Sequence, residues 1–192
     1  MEKKKRWKIT LNAPVTLGFT GLCFITMILN YVTGGLSNRL LFMTYHSSLM
    51  SGFTYIRFFT HVLGHSGWQH YIGNMSYILL LGPLLEEKYG SKQMAEVICV
   101  TAFVTGMINY ILFWNVALCG ASGVVFAFIL LASFTNFKEG ELPLTVILVA
   151  VIFIGEQVYE GIFIQDNISN MAHILGGLVG TITGYVLNKK KQ

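Results

Sequence analysis

This sequence is short of charge. Asp, Glu, Lys and Arg make up 11% of its 192 residues, where a soluble domain averages about 25%, and the mean hydropathy is +0.60. That composition excludes an ordinary water-soluble globule and points to a membrane protein. Cysteine is also sparse. Cys23, Cys99 and Cys119 form no even set, and two of them lie inside apolar runs, so a disulfide framework is excluded and the thiols read as packing residues. No Cys/His cluster has metal-ligand spacing and no glycine-rich phosphate loop follows a strand, so neither a metal nor a cofactor is expected. The formal charge of +4 is carried by the two ends of the chain. It therefore reads as membrane orientation and not as nucleic-acid binding.

What the sequence has instead is long charge-free runs, at 9–38, 97–137 and 167–188. The 41 residues of the middle run would make one helix of about 62 Å, twice a hydrocarbon core of ~30 Å. The run must fold back, and 115–120 is its polar, glycine-containing break. The expected fold is an all-α membrane protein, a polytopic bundle of six transmembrane helices forming one domain over 1–192. Its spans are expected at approximately 15–33, 68–85, 94–113, 122–137, 143–159 and 171–187. Residues 34–64 alternate aromatics with Arg, His and Ser, which suits short amphipathic helices lying in the interface. The first apolar segment lacks a small-residue cleavage site and reads as a retained helix. With six spans, eleven of the thirteen Lys/Arg residues fall on the side of the termini. The positive-inside rule then makes both termini cytoplasmic.

The stretch Cys119-Gly120-Ala121-Ser122-Gly123 opens a fully apolar run. A serine there sits at a helix N-terminus, where backbone N–H groups lack intrahelical partners and the dipole favours an anion. By itself this is equally a turn with a serine cap. Partners decide. In the expected topology, Ser122 begins an inward-running helix and His70 and His173 lie a few residues into two others, at one shallow depth beneath the outer surface. Polar groups inside spans usually mark function. His70 and Asn74 are four apart and share a helix face, and Phe126 lies one turn below Ser122. Gly176, Gly180 and Gly184 share the face of His173, so a neighbouring helix can approach closely there. Each feature alone is ordinary helix packing or an interhelical hydrogen bond; the shared depth favours a site.

Gly120-Ala121-Ser122-Gly123, His70-x-x-x-Asn74 and Asn170-Met171-Ala172-His173-x-x-Gly176-x-x-x-Gly180 together resemble the rhomboid intramembrane serine proteases, in the minimal six-helix bacterial form. Arg57, His65, Glu86 and the Gly90-Ser91 turn fit the same likeness. Ile56 stands where the family has Trp beside Arg57, and Phe126 stands where it commonly has Tyr. The resemblance implies Ser122 as nucleophile and His173 as general base. His70, Asn74 and the Ser122 backbone N–H would stabilise the oxyanion, with Gly120, Phe126, Gly176 and Gly180 supporting.

A serine hydroxyl needs a base, and a near-neutral imidazole suits it. No carboxylate is placed to orient His173, since Asp166 lies seven residues earlier in a loop, so a Ser-His dyad is expected. The resemblance further implies transmembrane-helix protein substrates admitted sideways from the bilayer, between the spans at 68–85 and 143–159. The site should open to the extracytoplasmic side of the plasma membrane, walled by the first loop and by 160–170. Two other classes fit less well. A catalytically inactive escort factor of the same family would typically lose the serine or the histidine. A small transporter would place polar groups at several depths and show paired repeats.

Overall fold

α5 (Ser122–Ser133) is apolar on every side, and Val124, Val125, Ala127, Phe128, Leu130 and Leu131 along it are all buried. A helix hydrophobic all round belongs at the centre of a bundle. The computed structural model, which describes residues 8–138, 141–163 and 170–189, packs four other helices against it: α3 (Trp68–Tyr89), α4 (Ser91–Leu112), α6 (Leu144–Phe163) and α7 (Asn170–Lys189). α1 (Pro14–Val32) packs against α3 and α4, and the short α2 (Gly52–Thr60) against α4. The protein is an all-α bundle.

The helices stand where the apolar runs put them, but the expectation of six transmembrane helices is corrected. Among the described residues, only α1, α4 and α6 are long and apolar enough to cross a membrane. α5 has 12 residues, not the expected sixteen to position 137, because the chain turns at 134–136. Its length of about 18 Å falls well short of a ~30 Å core. α3 and α7 have the length but not the composition. α3 carries Gln69, His70, Asn74, Glu86, Glu87 and Lys88, and α7 carries Asn170, His173 and Asn188 among four glycines.

α5 and α7 meet backbone to backbone. A Cβ at Gly176 would drive into the backbone carbonyl of Gly123, and one at Gly180 into that of Ala127. Both numbers rise together, 123 to 127 against 176 to 180, so the two helices run parallel in register. Only glycine permits this backbone-to-backbone contact. Its consequence is geometric: the residues that begin the two helices arrive at the same end of the bundle.

Two further devices hold the frame. Glu86, 4% exposed, caps α1 from a neighbouring helix. One carboxylate oxygen accepts from the Val15 N–H (2.9 Å) and the Ser91 hydroxyl (2.7 Å). The other accepts from the Thr16 N–H (2.9 Å) and the Thr16 hydroxyl (2.8 Å). An anion there satisfies orphan donors and meets the positive end of the helix dipole. The first loop forms short helices, as its aromatic alternation suggested: a π-helical turn at Asn38–Phe42, α2, and a 3-10 turn at His61–Leu63. Arg57, 5% exposed, lies over the Tyr45 ring at 4.3 Å and donates to the Tyr45 hydroxyl (2.8 Å) and Ser47 Oγ (2.7 Å).

Substituting Gly180→Ala should destabilise the detergent-solubilised protein by on the order of 2–3 kcal/mol of overpacking against unyielding backbone, read as a lower thermal midpoint. Gly18→Ala in α1, where nothing lies within 4 Å of the added carbon, should leave it unchanged or raise it.

Candidate active site

The segment leading into α5 is held from behind by the first loop. Thr44 and Leu118 exchange backbone hydrogen bonds of 2.9 and 2.8 Å, and the Gly120 N–H donates to the His61 carbonyl at 3.0 Å. His61 is buried. Its Nδ1 lies 3.1 Å from the Arg57 carbonyl and its Nε2 3.2 Å from Thr105 Oγ1. Gly120 has φ +131°, a conformation that glycine adopts without penalty. The glycine also makes room: a Cβ there would meet the His70 imidazole at 2.5 Å from Cε1 and 2.6 Å from Nε2. The helix cap is Ala121, with no side-chain cap bond, so Ser122 is the first helical residue and the reading of it as a capping serine does not hold.

His70 and Asn74, one turn apart on α3, face this segment. Asn74 Nδ2 lies 3.7 Å from the same point over Gly120, and it is a buried donor with no acceptor. A buried N–H left unpaired is costly. Ser66 Oγ lies 3.1 Å from His70 Nδ1, which leaves Nε2 on the side of Gly120. Behind them His65 packs its ring 5.1 Å from that of His70. Burial first, and then the neighbouring His70, push His65 down to about 4.

His173 comes from the first turn of α7. Its ring stacks on Phe126, one turn below Ser122, with centroids 4.5 Å apart and planes 4° from parallel. Its Nδ1 lies 2.5 Å from Oε1 of Gln157 on α6. Ser122, His173, His70, Asn74 and Phe126 all line one cleft of about 820 Å³. Gly120 abuts it through His70, while Gly176 and Gly180 act at a distance by bringing α7 against α5. Cys119 also lines the cleft, but burial pushes its thiol up to about 11, so it is a neutral thiol near pH 7.

Not every histidine joins. His46 stacks between Tyr110 and Trp114, at 4.8 and 4.2 Å. His61 and His65 support the site from behind. The wall expected at 160–170 lies largely outside the described residues, as does Asp166. Two members escaped sequence reasoning. Ser66 could have been found from its i,i+4 spacing to His70. Gln157 is an uncharged polar residue near the end of an expected span, where the general rule for intramembrane polar groups already applied.

Bundle and cleft together define a membrane-associated, multi-helix protein that brings a serine and a histidine from two parallel helices to one pocket. The Rhomboid domain family matches residues 52–190, and the chain belongs to the rhomboid family. It is 25% identical to the rhomboid protease GlpG of Haemophilus influenzae over 186 residues, 93% of each chain. It is 29% identical to rhomboid-related protein 1 of Caenorhabditis elegans and 29% identical to rhomboid-related protein 2 of Mus musculus. Each of those matches covers 68% of this chain, but only 39% and 47% of those longer proteins.

The buried first-loop histidine generates a pH dependence. Burial lowers His61 from its ordinary 6.5 to about 4. Between these values the unfolded chain holds the proton and the folded one does not, so stability is lost as pH falls through this window. The thermal midpoint should drop on acidification from pH 6.5 to 4, and His61→Gln should flatten that slope.

Proposed function

We propose that this chain is a serine endopeptidase that hydrolyses peptide bonds in or near transmembrane segments of membrane-protein substrates. Family membership supports an intramembrane, serine-protease-like activity in general. What supports the specific reading is the cleft lined by Ser122, His173 and Asn74, whose buried Nδ2 has no acceptor among the described residues.

In this reading the Ser122 hydroxyl attacks the scissile carbonyl carbon as His173 takes its proton. The carbonyl electron pair moves onto oxygen. That oxyanion receives hydrogen bonds from the Ser122 backbone N–H, Asn74 Nδ2 and His70 Nε2, at the positive end of α5. The imidazolium then protonates the departing amine, and water resolves the acyl-enzyme by the reverse sequence. Peptide hydrolysis needs that water, so the cleft faces an aqueous phase, the extracytoplasmic one. The basic ends of the chain, residues 3–8 and 189–191, support cytoplasmic termini in the plasma membrane. The reading takes 1–192 as one unit, comparable in extent to the H. influenzae relative, with transmembrane-helix proteins and the bilayer as its partners.

The purified protein in detergent should be labelled by a fluorophosphonate and should cut members of a panel of single-span substrates, both activities vanishing in Ser122→Ala. His70→Ala and Asn74→Ala should each lose roughly 3 kcal/mol of transition-state stabilisation, about a hundredfold in kcat, yet stay measurable. Normal cleavage by Ser122→Ala would refute the assignment.

A further inference from the structure

α6 is the least buried of the long helices. Its buried residues among those described are Val146 and Gln157. Val146 is an ordinary apolar contact. Gln157 is 4% exposed and its amide oxygen sits 2.5 Å from His173 Nδ1. A buried glutamine on a helix otherwise turned outward requires a reason. Among the described residues, its amide oxygen meets the imidazole that the functional reading makes the base.

We propose that Gln157 is a positioning residue for His173, doing with a neutral amide what a carboxylate does in a soluble serine hydrolase; the inference rests on the assignment of Ser122 and His173 given above. An amide oxygen can only accept, so the proton between the two groups belongs to His173 Nδ1. That leaves Nε2 unprotonated, which is the tautomer a general base needs. Stacking on Phe126 sets the plane of the imidazole but permits rotation within that plane. The hydrogen bond from Nδ1 removes that rotation. The two contacts therefore complete each other, one from α5 and one from α6.

The amide also suits its surroundings. An ionised carboxylate at this burial, in a membrane-associated bundle, carries a heavy desolvation penalty. A glutamine supplies the same acceptor without it. Through the reaction the Nδ1 proton stays where it is. Nε2 gains the Ser122 proton as the Oγ–carbon bond forms, and returns it to the amine when the carbon–nitrogen bond breaks. Gln157 touches no reacting atom.

The test compares the full-length protein in detergent with Gln157→Leu, Gln157→Asn and Gln157→Glu, reading the rate of Ser122 fluorophosphonate labelling, kcat and KM on one substrate, and the thermal midpoint. Gln157→Leu should slow labelling and kcat together by about tenfold or more while KM stays within about twofold, because tautomer and orientation act on the chemical step. Gln157→Glu keeps an acceptor of the same reach in either protonation state and should recover to within about threefold of the parent. Gln157→Asn, one methylene shorter, should fall with Leu. If Leu fails to fold, the Asn-against-Glu comparison decides on the same terms. Wild-type rates in Gln157→Leu, or equal losses in all three variants tracking a lowered thermal midpoint, would overturn the proposal. A parent protein not labelled at Ser122 would overturn the functional reading itself, and is seen before any variant is compared.

Discussion

The contact on which the rest depends is backbone against backbone, Gly123 on Gly176 and Ala127 on Gly180. With no side chain between them at these two points, the parallel helices approach closely and in register over one turn. Ser122 lies one residue before this seam on α5. His173 lies three residues before it on α7, about 4.5 Å of helical rise away. The Ala172 carbonyl lies 3.3 Å from where a Cβ on Gly123 would stand, so the beginning of α7 is drawn in over the beginning of α5. A side chain larger than hydrogen along this stripe would push the beginnings of the two helices apart.

Around that seam the fold spends its polar groups in places water does not reach. Glu86 ties three elements together through one carboxylate that accepts four hydrogen bonds. Arg57 is satisfied mainly by neutral oxygens and an aromatic face. His61 offers its carbonyl to Gly120 while its ring bridges α2 and α4. Such groups are costly unless partnered, so each strongly specifies the arrangement in which its partners are present. The first loop is therefore part of the scaffold. It fixes the backbone immediately before Ser122.

The same bundle is unevenly tied. α5 is enclosed, and α7 is joined to it by the glycine seam, whereas α6 turns most of its surface outward. Near the cleft, α6 meets the others through Phe153, whose ring lies edge-on to Phe126 at 6.0 Å, and through Gln157. Both contacts converge on the Phe126–His173 stack. The order of the imidazole thus draws on three helices, two bound tightly to each other and one held lightly.

Much of this was legible in residue order. Charge scarcity gave the membrane class, the charge-free runs gave α1, most of α4, α5 and α7, and the spacing of His70 to Asn74, Ser122 to Phe126 and His173 to Gly176 gave shared faces, because helical periodicity is a local property. Local signals could not give the number of spans. Hydropathy does not reveal that α5 stops after 12 residues, or that α3 and α7 use their length to carry polar groups. Nor could they give the partners. Which carbonyl a glycine rests against, that Asn74 keeps a buried N–H unpaired, and that a glutamine on α6 meets the imidazole are facts about segments distant in sequence. Periodicity fixes which way a side chain points from its own helix; only the packing of helices decides what it points at.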